Sequence, residues 1–239
     1  MTYIILAAGA GTKLHPLTLN CPKAMCNLGD GTTLISRLVK QIRRYDDEAE
    51  IVVVAGFMAP VIIDELDREN VIFVRNPFYE TTKSAASLWF AGEYLNRDNV
   101  TILNSDIVLS DRVVKEIVCK ETDKPYIVQD VNSISEVNYN VQSEDGRVVL
   151  LSKKISSASG GYCNITKLDG ITARVMYDAL NQLIYEGNSN QHYEDLVTQM
   201  IFSDNYEFYV EDIDSDEWTE VDEIDDIVKA KHMIERYSK

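Results

Sequence analysis

The sequence has no apolar run approaching the ~20 residues that a membrane-spanning helix requires, so no membrane partner is expected. It is poor in positive charge. Against 39 Asp and Glu there are 23 Lys and Arg, a net charge of −16. Nucleic acids and anionic membrane surfaces are held by basic patches, and both are excluded as expected partners. The four cysteines (Cys21, Cys26, Cys119 and Cys163) show neither C-x-x-C nor zinc-ligand spacing. They read as reduced thiols, a cytoplasmic setting is expected, and no leader is expected ahead of Tyr3. Three histidines leave few bases to activate a nucleophilic cysteine. No Pro/Gly/Ser-rich linker, low-complexity tract or internal repeat divides the chain. Two familiar glycine loops are missing as well. The string G-x-x-x-x-G-K-[ST] does not occur, and a G-x-G-x-x-G fingerprint fails because position 14 is Leu14.

What is present begins at the first residues. Tyr3 to Leu6 is a continuous apolar run, the pattern of a strand buried on both faces of a parallel sheet. It runs into Ala7-Ala8-Gly9-Ala10-Gly11-Thr12-Lys13, and Pro16, Asn20 and Pro22 keep the chain irregular beyond it. Small Ala7 and Ala8 let a planar base lie against the backbone. Gly9 and Gly11 let backbone N–H groups approach phosphate oxygens, and Lys13 and Lys23 add positive charge. The plainer alternative is that the two glycines merely turn the chain.

The next segments alternate strand and helix. Thr32 or Thr33 caps a helix carrying Leu34, Ile35, Leu38, Val39 and Ile42 on one face. Ile51 to Ala55 is a strand ended by Gly56, and Val61, Ile62 and Leu66 mark a second helix. Val71 to Val74 is a third strand. A helix runs from Ser84 to about Leu95, Val100 to Asn104 is a strand, and Asp111 caps a helix. This order predicts a parallel sheet with right-handed crossovers. After Lys124 the pattern changes to short strands, at Tyr126–Gln129, Tyr139–Gln142, Arg147–Leu151 and Gly161–Thr166. A serine-rich loop over 152–161 is expected to be mobile. Helices come next over 171–185 and 193–202, then a strand over 206–210 and a helix over 224–237.

Acidic residues are unevenly placed. From Asp204 to Asp226 there are twelve Asp and Glu and no Lys or Arg. A solvated surface accounts for most of them, yet such a density also suits a divalent metal or a cationic substrate group. Within it, Glu220 and Asp222 alternate with Val221, so both carboxylates share a face if the segment is extended. Asp106 lies just past a buried strand, where open parallel sheets bind ligands; a turn aspartate is the alternative.

The string Leu6-Ala7-Ala8-Gly9-Ala10-Gly11-Thr12 with Pro16-Leu17-Thr18 and Pro22-Lys23, the Asp106 after strand four, and the late Trp218-Thr219-Glu220-Val221-Asp222 together resemble the nucleotidyltransferases that activate sugar phosphates and phosphocholine. The resemblance implies an α/β fold: a three-layer αβα sandwich around a mostly parallel, Rossmann-like sheet, as a single domain over 1–239. Residues 1–124 would form its nucleotide-binding half and 125–239 its acceptor-binding half. It also implies Mg²⁺ as cofactor, held by Asp106 and Asp222 with Glu220 beside them. A substrate phosphate is already an anionic nucleophile, so no general base is required. Lys23 would stabilise charge on the α-phosphate and Lys13 would hold the leaving pyrophosphate. Arginine is usual at position 13 in the family, and lysine loses the planar fork. Gly56 stands where the family has a glycine near the base, or is simply a strand-end turn.

Within the family the chain is most similar to the small cytidylyltransferases that use CTP and a phosphorylated amine or amino acid. Asn76 through Leu88, Tyr193-Glu194-Asp195, and Gly146-Arg147-Val148 followed by Lys153-Lys154 carry this likeness. Departures are Lys83-Ser84, where Asn-Asn is frequent, and Lys153-Lys154-Ile155, where sugar enzymes often have Glu-Lys-Pro. Expected nucleotide contacts therefore include Ser84. Expected acceptor contacts are Lys154 for the phosphate, and Tyr193, Glu194 and Trp218, with Tyr162, as an aromatic and acidic cage for an ammonium. Tyr193 also lies at helical spacing with Leu196, Val197 and Met200, which favours a core position over a place in the cage. The acceptor stays open between choline phosphate, ethanolamine phosphate, a phosphonate and a phosphorylated amino acid. A sugar-1-phosphate enzyme using UTP, dTTP or GTP is the alternative, and a catalytically weak nucleotide-binding module a third reading. Oligomeric state is not legible in the residues.

Overall fold

In the computed structural model, which describes residues 1–134, 137–155 and 157–237, the apolar opening run is β1 (Thr2–Ala7), buried at every position. Its register is parallel to β2 (Glu50–Ala55) on one side and to β4 (Asn99–Asn104) on the other. β3 (Val71–Arg75) extends this block at the edge. Between the strands lie α1 (Leu34–Tyr45), α2 (Ala59–Glu65) and α3 (Ser84–Phe90), the last continued by a 3₁₀ turn at Gly92–Leu95. Thr33 caps α1 by accepting from the Ser36 N–H.

Past β4 the short β5 (Ile107–Leu109) leads into α4 (Asp111–Val113), which continues as a π turn over Val114–Val118. The cap here is Ser110, whose hydroxyl accepts from the Val113 N–H, not Asp111. Asp111 is the first helical residue and takes hydrogen bonds from Gln41 and Arg44. The second half supplies β6 (Tyr126–Asp130), β7 (Asn140–Glu144), β8 (Arg147–Ser152) and β9 (Gly160–Asp169). Asp145 and Gly146, both at positive φ, make the tight β7–β8 turn. Then come α5 (Gly170–Tyr185), capped by Asp169, α6 (Tyr193–Asp204), β10 (Tyr209–Asp212), β11 (Trp218–Glu220) and α7 (Ile224–Tyr237). Ser156, inside the expected serine-rich loop, lies outside the described residues.

The large sheet has the order β3-β2-β1-β4-β9-β6-β10-β8-β7 and draws strands from both halves of the chain. β3, β2, β1, β4, β6, β10 and β7 run one way, and β9 and β8 run the other. Apolar side chains alternate between its faces. Tyr3, Ile5 and Ala7 join a cluster with Ile35, Leu38 and Ile62. Ile4 and Leu6 join another with Leu88, Met176 and Leu196. Burial on both faces is why β1 and β2 read as unbroken apolar runs. A separate two-stranded sheet pairs β5 with β11 antiparallel, Ile107 opposite Glu220. Among the described residues no helix is long and apolar enough to cross a membrane.

Candidate functional site

β1 ends at the mouth of a cavity of about 680 Å³. Leu6, Ala7, Ala8, Gly9, Ala10, Gly11, Thr12 and Lys13 form one wall, at the carboxyl ends of the parallel strands. Gly11 sits at φ 64°, and a Cβ there would come within 2.6 Å of the Lys23 Cβ. The loop is tied back by Thr18 Oγ1, which donates to the Gly11 carbonyl at 2.6 Å. A Cβ on Gly9 would meet nothing within 4 Å, so its backbone is open to a ligand.

The second wall is acidic. The β5–β11 pairing carries Glu220 and Asp222 back to Asp106, and the Val221 N–H donates to the Asp106 carbonyl at 2.8 Å. One carboxylate oxygen from each of Asp106, Glu220 and Asp222 lies within 4.8 Å of the others. Lys23 Nζ donates to Asp106 Oδ2 at 2.7 Å and also to Asp222 Oδ1. Lys13 Nζ donates to Asp222 Oδ2 at 2.7 Å and to Asn138 Oδ1 at 2.9 Å. Asn138 Nδ2 in turn donates to Glu220 Oε1 at 2.8 Å and Asp222 Oδ2 at 2.6 Å.

Charge is thereby unequally shared. Burial, then the Asp106 and Asp222 charges, pushes Glu220 up to about 8. Burial works the same way on Asp222, but Lys23 and the hydrogen bonds from Lys13, Lys23 and Asn138 outweigh it and hold its carboxyl at about 2. Burial disfavours the Lys23 ammonium, and the two aspartates more than offset this, leaving its pKa above the ordinary lysine range. Asp106 Oδ1 is buried and has no hydrogen-bond partner. Three clustered carboxylates with one oxygen unpartnered fit a hard divalent cation that takes oxygen ligands.

A third stretch of wall joins Lys83, Ser84, Tyr139, Lys153, His192 and Glu194. Glu194 is 3% exposed, and burial pushes its carboxyl up to about 7. Asn104 Nδ2 donates to Asn164 Oδ1 at 2.9 Å nearby, while Asn164 Nδ2 is buried without a partner.

The cavity thus gathers every expected nucleotide and metal residue except Gly56. A Cβ on Gly56 would come within 2.7 Å of both the Ala8 carbonyl oxygen and the Tyr79 Cβ, so it packs behind the wall and does not line it. Four expected acceptor contacts are corrected, Tyr162 among them, since it is 1% exposed and lies outside the cavity lining. Tyr193 is fully buried and its hydroxyl pairs with Tyr162 at 2.6 Å, so the core alternative is the one realised. Trp218 is buried and donates through Nε1 to Asp130 Oδ2 at 3.0 Å. Lys154 is exposed outside the cavity, and its neighbour Lys153 lines it instead. The sequence reading missed Asn138, Asn164 and His192. None belongs to a recognisable string, although His192 immediately precedes the singled-out Tyr193-Glu194-Asp195.

A family model described as a MobA-like NTP transferase domain matches residues 3–136. The bifunctional protein GlmU of Methanococcus aeolicus is 23% identical over 211 residues, 79% of this chain and 48% of that protein. The 2-aminoethylphosphonate cytidylyltransferase of Lancefieldella rimae is 30% identical over 108 residues, 45% of this chain and 44% of that protein. This chain therefore spans about half the length of those two relatives. The choline-phosphate cytidylyltransferase of Streptococcus pneumoniae is 22% identical over 98% of both chains. A solved structure of CTP:phosphocholine cytidylyltransferase from Streptococcus pneumoniae superposes with a TM-score of 0.82 at 20% identity, covering 98% of each chain. At that identity the superposition establishes a shared α/β nucleotidyltransferase fold.

Proposed function

The chain belongs to the MobA-like NTP transferase family, and from that membership we propose that it is a Mg²⁺-dependent cytidylyltransferase. It would transfer CMP from CTP to a small phosphorylated acceptor and release pyrophosphate. The observation that carries the reading is a single cavity in which a glycine loop, two lysines and a carboxylate cluster with an unpartnered oxygen face one another. The full-length likeness to a choline-phosphate cytidylyltransferase favours CTP and an amine-bearing acceptor. Packing on both faces of one sheet supports the single-domain, three-layer reading.

The chemistry is dictated by charge. Two anions must meet: the acceptor phosphate and the α-phosphate of the triphosphate. Backbone N–H groups of Gly9 to Thr12, which line the cavity, would receive phosphate oxygens. Lys23 would move from the carboxylates to the α-phosphate, and Lys13 to the departing pyrophosphate. Asp106, Glu220 and Asp222 would hold Mg²⁺, which when bound neutralises phosphate charge and helps align in-line attack. Lys153, rather than Lys154, would lie near the acceptor phosphate.

The test is pyrophosphate release from each of the four NTPs with a panel of phosphorylated amines and sugars. Release with CTP and an amine phosphate is expected. Release only with a sugar phosphate would select the sugar-1-phosphate alternative.

A further inference from the structure

Four cavity-lining residues form a chain of polar contacts whose direction follows from the Lys153 ammonium. Lys153 Nζ lies 3.1 Å from His192 Nε2. An ammonium only donates, so Nε2 accepts and the ring proton is on Nδ1. Nδ1, 3.4 Å from Ser84 Oγ, then donates to it. The Tyr193 N–H also donates to Ser84 Oγ, at 3.0 Å. The serine's own hydrogen is left for Glu194 Oε2 at 3.2 Å. Burial, then the Lys153 charge, lowers the His192 pKa, which keeps the ring neutral as the chain requires. The result is a built dipole: an exposed cation at one end, a buried carboxylate at the other, and neutral groups between.

Resting on the reading that the acceptor is phosphorylated, we propose that it is a zwitterion whose primary ammonium is held by Glu194 and whose phosphate or phosphonate lies toward Lys153. A buried carboxylate supported only by neutral donors is poorly compensated, and a ligand ammonium carrying N–H groups would compensate it. Burial holding Glu194 near neutral pH agrees with a missing cation. A sugar phosphate brings no cation to this end.

A trimethylammonium fits less well. It has no N–H to give and depends on ring faces. Among the described residues the rings lining the cavity are Tyr79, Tyr139 and the His192 imidazole, and the last lies edge-on to Tyr139 at 5.9 Å with its two nitrogens against Lys153 and Ser84. Tyr79 packs over Gly56 beside Ala8, at the base end. Tyr139 already has the Lys153 ammonium 5.0 Å from its ring centre, and its hydroxyl donates to Asp195 Oδ1 at 2.9 Å.

The experiment is calorimetric titration of the protein, with Mg²⁺ and a non-hydrolysable CTP analogue, using phosphoethanolamine, its mono- and dimethyl derivatives, and phosphocholine. Affinity is expected to fall along the series, with phosphocholine at least about tenfold weaker than phosphoethanolamine. Glu194→Gln should flatten the series without changing affinity for the CTP analogue. Lys153→Met, at an exposed position, should weaken all members by a similar factor and keep their order. Phosphocholine binding as tightly as phosphoethanolamine, a series unmoved by Glu194→Gln, or no binding by any member would overturn the proposal. Pyrophosphate release with sugar phosphates alone would instead refute the cytidylyltransferase reading, and the binding series is read independently of it.

Discussion

At the residue scale the site is a problem of surplus negative charge. Asp106, Glu220 and Asp222 sit within reach of one cation, and Lys23 and Lys13 supply compensating charge. Replacing Asp106 with alanine removes both the unpartnered oxygen and a Lys23 acceptor. Turnover should fall by about a thousandfold or more, with an unchanged circular dichroism spectrum; wild-type turnover would refute the metal assignment. Asn138 acts through its neighbours. Its amide spaces Glu220 from Asp222 and presents its oxygen to Lys13. Asn138→Ala should weaken Mn²⁺ binding, read by electron paramagnetic resonance, by about 10–100-fold. A purely structural role would lower thermal stability and leave metal affinity alone.

Elements decide which of these residues meet. The first wall was legible in the sequence because an apolar run, two glycines and two lysines are contiguous or nearly so. The acidic wall was legible only as two distant strings. The strands that join them, β5 and β11, have three residues each and give no periodicity to read. Lys154 was expected and Lys153 found because the segment leaves β8 just before them, and strand alternation no longer fixes which lysine faces inward. Tyr193 and Trp218 were expected at the ligand, but each hydroxyl or indole N–H has a buried partner that sequence spacing does not reveal. Gly11 is where loop and Lys23 helical turn come closest. Gly11→Ala combines positive φ with a 2.6 Å clash against the Lys23 Cβ. It should cost about 1–3 kcal/mol of stability and raise the KM for the nucleotide more than that for the acceptor. An equal rise in both would argue against a nucleotide cradle.

At the scale of the whole molecule, stability must tolerate a cation that the cavity does not explain. Lys167, on β9, is fully buried, and its Nζ donates to the carbonyls of Val118, at 2.8 Å, and Lys120. Burial pushes its pKa down to about 7, with Cys119, Glu121 and Asp46 opposing and Lys120 assisting. A neutral amine still has two N–H groups, one for each carbonyl, so nothing is left unsatisfied when the charge is lost. Linkage sets the sign. Between about pH 7 and the ordinary lysine value of 10.5, the unfolded chain holds a proton that the folded chain does not. Stability contributed by this group therefore rises with pH across that window and is lowest below it. Lys167→Met removes the titration while keeping most of the apolar stem. The unfolding free energy of wild type minus that of the variant, measured by urea denaturation, should climb from pH 7 to pH 10. Other groups titrate in both proteins and cancel in the difference, so a flat line would mean that the buried amine stays charged.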